Sequence, residues 1–74
     1  MLFFKKVRED DREVEYRFGE IPEALDRGLT FDKASRQATA LDDLANAQFR
    51  TAYGKILLQL TRSGSWPEFG SHQA

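Results

Sequence analysis

Adjacent carboxylates at Asp10-Asp11 and Asp42-Asp43 are the residues of this chain whose type suits general acid–base chemistry, in which proton donor and acceptor converge on one substrate atom. Their spacing argues against that use. Neighbours in sequence do not readily converge, so Asp10-Asp11 reads as a turn and Asp42-Asp43 as a helix cap. The single histidine, His72, stands third from the C-terminal end, where nothing in the sequence holds it rigidly. Ser35, Ser63, Ser65 and Ser71 have no evident base beside them, and there is no glycine-rich phosphate loop. Cysteine is absent, which removes disulfides and thiolate metal sites together. One histidine excludes a histidine-rich metal site, and no stretch spaces Asp, Asn and Gly as a calcium loop does. The reading is a non-enzyme that takes no cofactor or metal.

Two charged constellations invite a binding reading. Phe3, Phe4, Lys5, Lys6, Tyr16 and Arg17 place rings beside cations, as in platforms that stack single-stranded nucleic acid. A regulator of that kind would use Lys5, Lys6, Arg8 and Arg17. The charge balance opposes it: 11 basic residues face 12 acidic ones, net −1, and Glu13 and Glu15 neutralise the neighbouring cations. Nucleic-acid binders gather a basic excess on one face. The second constellation is Glu20, Asp26, Arg27, Asp32 and Arg36. It reads as surface ion pairs, Arg27 with Asp32 among them, in preference to an anion contact by Arg27 and Arg36.

The elements that position these residues begin with a β-hairpin. A two-residue turn at Asp10-Asp11 sets Val7 opposite Val14, Lys5 opposite Tyr16 and Phe3 opposite Phe18. The other surface then pairs Arg8 with Glu13 and Lys6 with Glu15. A one-residue slip breaks that pairing. Residues Ile21–Gly28 predict a short connecting helix, with Pro22 as its first residue and Gly28 as its stop. Leu29 to Asp32 alternates as a third strand. Arg36 to Leu41 predicts a weaker fourth strand, with a helix over Lys33 to Thr39 as the alternative.

The last predicted element is the longest. A helix capped at Asp42 or Asp43 and ended by Gly64 aligns Ala45, Phe49, Ala52, Tyr53, Ile56 and Leu60 on one stripe, to cover the sheet. Gly54 inside it suggests a close approach. The tail from Ser65 to Ala74 has no periodicity and only Trp66 and Phe69 as anchors.

The far side of that helix carries Leu44, Ala47, Thr51, Gly54 and Leu58, with Arg50, Lys55 and Arg62 towards its borders. A large apolar residue, Leu58, stands where an ordinary surface helix carries charge. Leu2 and Phe4 share the charged hairpin face. Together with Trp66 these residues make a candidate protein interface: Leu44, Ala47, Thr51, Gly54, Leu58, Leu2, Phe4 and Trp66. The competing account has the sheet curl, or Trp66 and Phe69 fold back to cover Leu58. A chain of 74 residues buries roughly 60% of its extended surface, and without disulfides or a metal, self-association is the expected staple.

The string Tyr16-Arg17-Phe18-Gly19, then Pro22, then Asp26-Arg27-Gly28-Leu29-Thr30-Phe31-Asp32-Lys33, with Trp66-Pro67-Glu68 and Gly70 later, resembles a set of small uncharacterised actinobacterial proteins. The resemblance implies a free-standing small bacterial protein and carries over no functional residue.

The expectation is therefore α+β: an antiparallel sheet made of the N-terminal hairpin and one or two further strands, the short connecting helix, and one long C-terminal helix on the sheet. Residues 1–64 form one domain and residues 65–74 a tail, partly folded back or frayed. No apolar run approaches the ~20 residues of a membrane span, and no signal peptide is visible, so a cytoplasmic setting is expected. The expected role is a non-enzymatic accessory protein acting through protein contacts, as a homodimer or with another protein. The alternative is a small-ligand binder with a pocket between sheet and helix lined by Tyr16, Phe31, Phe49 and Tyr53, and behind it the nucleic-acid regulator.

Overall fold

Alternation along residues 13–19 buries Val14, Tyr16 and Phe18 and turns Glu13, Glu15 and Arg17 to the other side, and the rest of the sheet follows this strand. The structure, a computed structural model, describes residues 1–72. Its elements are β1 (Leu2–Glu9), β2 (Glu13–Gly19), β3 (Arg27–Asp32), β4 (Ala38–Ala40), α1 (Ala47–Ser63) and β5 (Phe69–His72). The strands form one antiparallel sheet in the order β4-β3-β2-β1-β5. One face is covered by α1, which lies against β1 and β5. The class is α+β, with a five-stranded sheet and one helix. The helix is followed by a strand, so it is not the C-terminal element. No described helix is long and apolar enough to cross a membrane.

The hairpin forms, in a different register from the expected one. Phe4 pairs with Phe18 and Lys6 with Tyr16; a bulge at Val7 then sets Arg8 opposite Glu15 and Glu9 opposite Val14. Asp10 N–H donates to Glu13 O at 3.0 Å, and Asp10 Oδ1 accepts from Arg12 N and Glu13 N, both at 2.8 Å. The turn is therefore centred on Asp11-Arg12. The expected register put Lys5 on the apolar face. The observed one buries Leu2 and Phe4 instead, and the cation it brings inward, Lys6, lies at the rim. Val7 is exposed. The charge pairs do not resist this slip, because the Arg8 guanidinium reaches Asp10, Glu13 and Glu15 together.

The short connecting helix is absent. Pro22 and Glu23 form a turn closed by Ala24 N–H donating to Ile21 O at 2.9 Å, and the chain is already in β3 by Arg27. Gly28 lies inside that strand, beneath the Leu41 side chain, which a Cβ would meet at 2.9 Å. The stretch 38–40 is strand, as the first alternative had it.

Helix α1 starts later than expected. Its cap is Asn46, whose side chain accepts from Phe49 N–H at 3.1 Å. Asp43 instead takes a left-handed turn conformation, with φ 60°. Phe49, Ala52, Ile56 and Leu60 are the buried stripe, and Gly64 closes the helix at φ 80° with its N–H donating to Leu60 O. After it, Trp66 packs on Phe31 with ring centroids 5.0 Å apart, and the Tyr16 hydroxyl donates to Pro67 O at 2.6 Å. These contacts steer the chain to β5, which pairs with β1 through Leu2–His72, Phe3–Ser71, Phe4–Gly70 and Lys5–Phe69. Residues 69–72 thus belong to the sheet.

Candidate protein-contact site at the sheet edge

Among the described residues Arg27 makes the most side-chain hydrogen bonds, and its donors are fully occupied. Its Nε and one Nη2 hydrogen reach Asp42 at 2.8 and 3.1 Å. The other Nη2 hydrogen reaches Leu44 O at 2.6 Å, and Nη1 reaches Asn46 Oδ1 and Gln48 Oε1 at 2.8 and 3.0 Å. A guanidinium has five N–H donors, and all five are used. The group also lies 4.7 Å from the centre of the Phe18 ring. Arg27 holds the 41–46 loop and the start of α1 to the sheet. It pairs with Asp42, not with Asp32, and has no donor left for an anion. The Arg27 guanidinium in turn draws the Asp42 carboxyl down to about 2, helped by Leu44 N–H.

The hairpin end is neutralised in the same way. Lys6 Nζ lies 2.6 Å from Glu9 and 3.0 Å from Glu68, and Lys33 lies 2.8 Å from Glu9. Hydrogen bonds from Lys33 and then Lys6 hold the Glu9 carboxyl below its ordinary value. Of the four cations in the nucleic-acid reading, Lys6 and Arg8 are thereby spent on carboxylates. Lys5 and Arg17 remain, opposite each other on the uncovered sheet face beside the exposed Phe69 ring.

The border between α1 and β5 differs. β5 is an edge strand, paired on one side by β1. Beside it the helix presents Ala47, Thr51, Gly54 and Leu58. A shallow groove runs along this border, lined at one end by Met1, Leu2, Glu20, Gln48 and Ala47 and at the other by Arg50, Gly54, Lys55 and Leu58, with Thr51 and His72 common to both. Leu58 is 42% exposed, and a Cβ at Gly54 would meet nothing within 4 Å. The glycine marks no close approach within the chain; it keeps the groove open. Among the described residues neither Arg50 nor Lys55 pairs with a carboxylate; Arg50 donates only to Ala45 O, at 2.9 Å.

The structure thus brings Ala47, Thr51, Gly54 and Leu58 together, with buried Leu2 at the base of one end of the groove, and leaves out Phe4, Leu44 and Trp66. Leu2 and Phe4 are core residues, 6% and 2% exposed, because the hairpin register turns them inward. Leu44 is exposed but belongs to the loop before α1. Trp66 is half-buried on Phe31, and neither it nor Phe69 covers Leu58. The four residues of the alternative ligand pocket are packed instead. Tyr16 and Phe31 have no exposed surface and meet edge to face at 6.1 Å, and Phe49 meets Tyr53 at 5.0 Å.

His72 is a site residue that sequence reasoning missed, and Arg50 and Lys55, read from the sequence only as borders of the helix face, line the site itself. A signal for the two cations exists: no Asp or Glu occurs between Asp43 and Glu68, so helical cations there have no acidic neighbour one turn away. Among the described residues no group of three or more His, Cys, Asp or Glu side chains is arranged to hold a metal. Comparison of the chain with protein-family models, with curated proteins and with solved structures finds no match.

Proposed function

We propose that this chain is a non-enzymatic accessory protein that works through protein contacts, with the α1–β5 border as its contact surface. The observation that carries the reading is one juxtaposition. An edge strand with unpaired backbone groups runs beside a helix face whose centre is apolar and small, at Gly54 and Leu58. Edge strands are templates for another strand, and proteins ordinarily blunt them with charge, proline or a covering element. β5 reads Phe-Gly-Ser-His and carries no Asp, Glu, Lys, Arg or proline. The nucleic-acid reading ranks behind this one, because two of its four cations are held by carboxylates.

The test is a selection of displayed peptides on the wild-type chain, counter-selected on Leu58→Glu, beside a measurement of solution mass over a dilution series. The expected result is enrichment of peptides that lose binding to the variant, or a dimer that the variant dissociates. A monomer that enriches no such peptide overturns the proposal.

A further inference from the structure

We infer that the occupant of the α1–β5 border is an extended acidic segment of another protein, added to β5 as a sixth strand. This rests on the border being a contact surface and names the chemistry of what it contacts. Three features converge on one line. The outer edge of β5 offers backbone donors and acceptors, the mode by which an extended peptide joins a sheet. Gly54 and Leu58 form an apolar floor for a side chain of the added strand. Arg50, Lys55 and His72 surround that floor, and no carboxylate lines this end of the groove.

Charge decides between a second copy and a different chain. Pairing β5 with its own copy about a twofold axis would continue the sheet with both helices on the same side. The carboxylate-free faces of the two helices would then approach, Arg50 and Lys55 against Arg50 and Lys55. Like-charge juxtaposition of that kind suppresses association. A strand bearing Asp or Glu removes the repulsion and meets both cations. The geometry also sets the length. Thr51 to Leu58 spans about 10 Å along a helix, and a strand advances about 3.3 Å per residue, so three or four residues cover the site. Since alternate residues face the helix, an apolar residue two places from an acidic one fits Leu58 and Lys55.

The probe is a fluorescein-labelled eight-residue peptide of glutamate, valine and threonine, with a control in which lysine replaces glutamate. Fluorescence anisotropy at low salt should show the glutamate peptide binding about tenfold or more tightly than the lysine peptide, with the gap narrowing as salt rises. Lys55→Glu should reverse the preference, and Leu58→Glu should remove binding while leaving the circular dichroism spectrum unchanged. Amide exchange should slow at the β5 N–H groups that point away from β1. Equal binding of the two peptides overturns the inference. So does exchange protection that falls on Lys5 and Arg17 and leaves β5 unchanged. A wild-type dimer that Leu58→Glu dissociates overturns the acidic occupant but upholds the contact surface. A monomer that binds neither peptide overturns the inference, and the displayed-peptide selection then decides whether the contact surface falls with it.

Discussion

The hairpin end and the α1–β5 border carry the same kinds of cation and treat them oppositely. At the hairpin end Lys6, Arg8 and Lys33 each lie against at least one carboxylate, and Glu9 serves two of them. At the border, among the described residues, Arg50 and Lys55 meet none. Exposed ion pairs contribute only up to about 1 kcal/mol, so the hairpin network adds little to stability. What it does is leave that end without unmatched charge. The border keeps both its cations and its strand edge unmatched. Residue type alone therefore says little about whether a cationic patch binds; the position of the nearest acids says more.

Two glycines sharpen this contrast, and the first gives the largest expected effect. Gly70 sits where β5 crosses the Phe4 ring: a Cβ there would lie 2.5 Å from Phe4 Cζ and 3.0 Å from Gln59 Nε2. Phe4 is core, so the ring has no free space to retreat into. Gly70→Ala should cost roughly 1–3 kcal/mol in urea unfolding, as overpacking does, and speed amide exchange along β5. Unchanged exchange at Phe69–His72 would mean that the edge strand is not held by this contact.

Arg27 tests the closed side of the comparison. Arg27→Met leaves Asp42, Asn46, Gln48 and the Leu44 carbonyl without their donor, and should cost about 2 kcal/mol. It should also alter the acid limb of stability. Asp42 is lowered from 3.8 to about 2 in the folded chain, so its contribution is present above the unfolded value and is lost as pH falls through that window. Glu9 and Asp10 are lowered in the same direction. The melting temperature of the wild type should fall between pH 4 and 2, with the Asp42 share of that fall missing in Arg27→Met. Parallel acid limbs in the two proteins would show that Arg27 does not hold Asp42 as described.

How much of this is legible in the sequence depends on the range of each signal. Val14, Tyr16 and Phe18 announce their strand by strict alternation, and Phe49, Ala52, Ile56 and Leu60 announce their helix by its period, because both patterns are local. The hairpin register was not legible. It rests on where Leu2 and Phe4 find a core, and on a bulge at Val7 that no turn residue marks. The expected helix at Ile21–Gly28 failed because Pro22 suits the first position of a turn as well as that of a helix, and too few residues separate Gly19 from Arg27. β5 has only four residues and borrows its conformation from β1. The site was half visible. Small residues at 47, 51 and 54 with Leu58 were evident on one helix face, while the strand that makes the face a groove was hidden in an aperiodic tail.

Gly54 is the counterpart of Gly70. It lies on the exposed side of α1 with open space where a Cβ would go. Gly54→Ala should stabilise the chain by about 0.5–1 kcal/mol through helix propensity alone, measured by urea unfolding. A larger side chain there, as in Gly54→Leu, should keep the fold and block the glutamate peptide. Retained peptide affinity in Gly54→Leu would place the partner elsewhere.

The smallest effect on stability is also the most direct test of the contrast. Thr51→Glu gives the border what the hairpin end already has, a carboxylate one helical turn before Lys55. An acid four residues N-terminal to a lysine adds about 0.2–0.5 kcal/mol to a helix, so the variant should melt at or slightly above the wild type. Its affinity for the glutamate peptide should nevertheless fall, because Lys55 is now answered within the chain. Stability and binding thus move in opposite directions from one substitution. If the unmatched cations were ordinary solvated surface, Thr51→Glu would shift stability by the same small amount and leave peptide binding where it was.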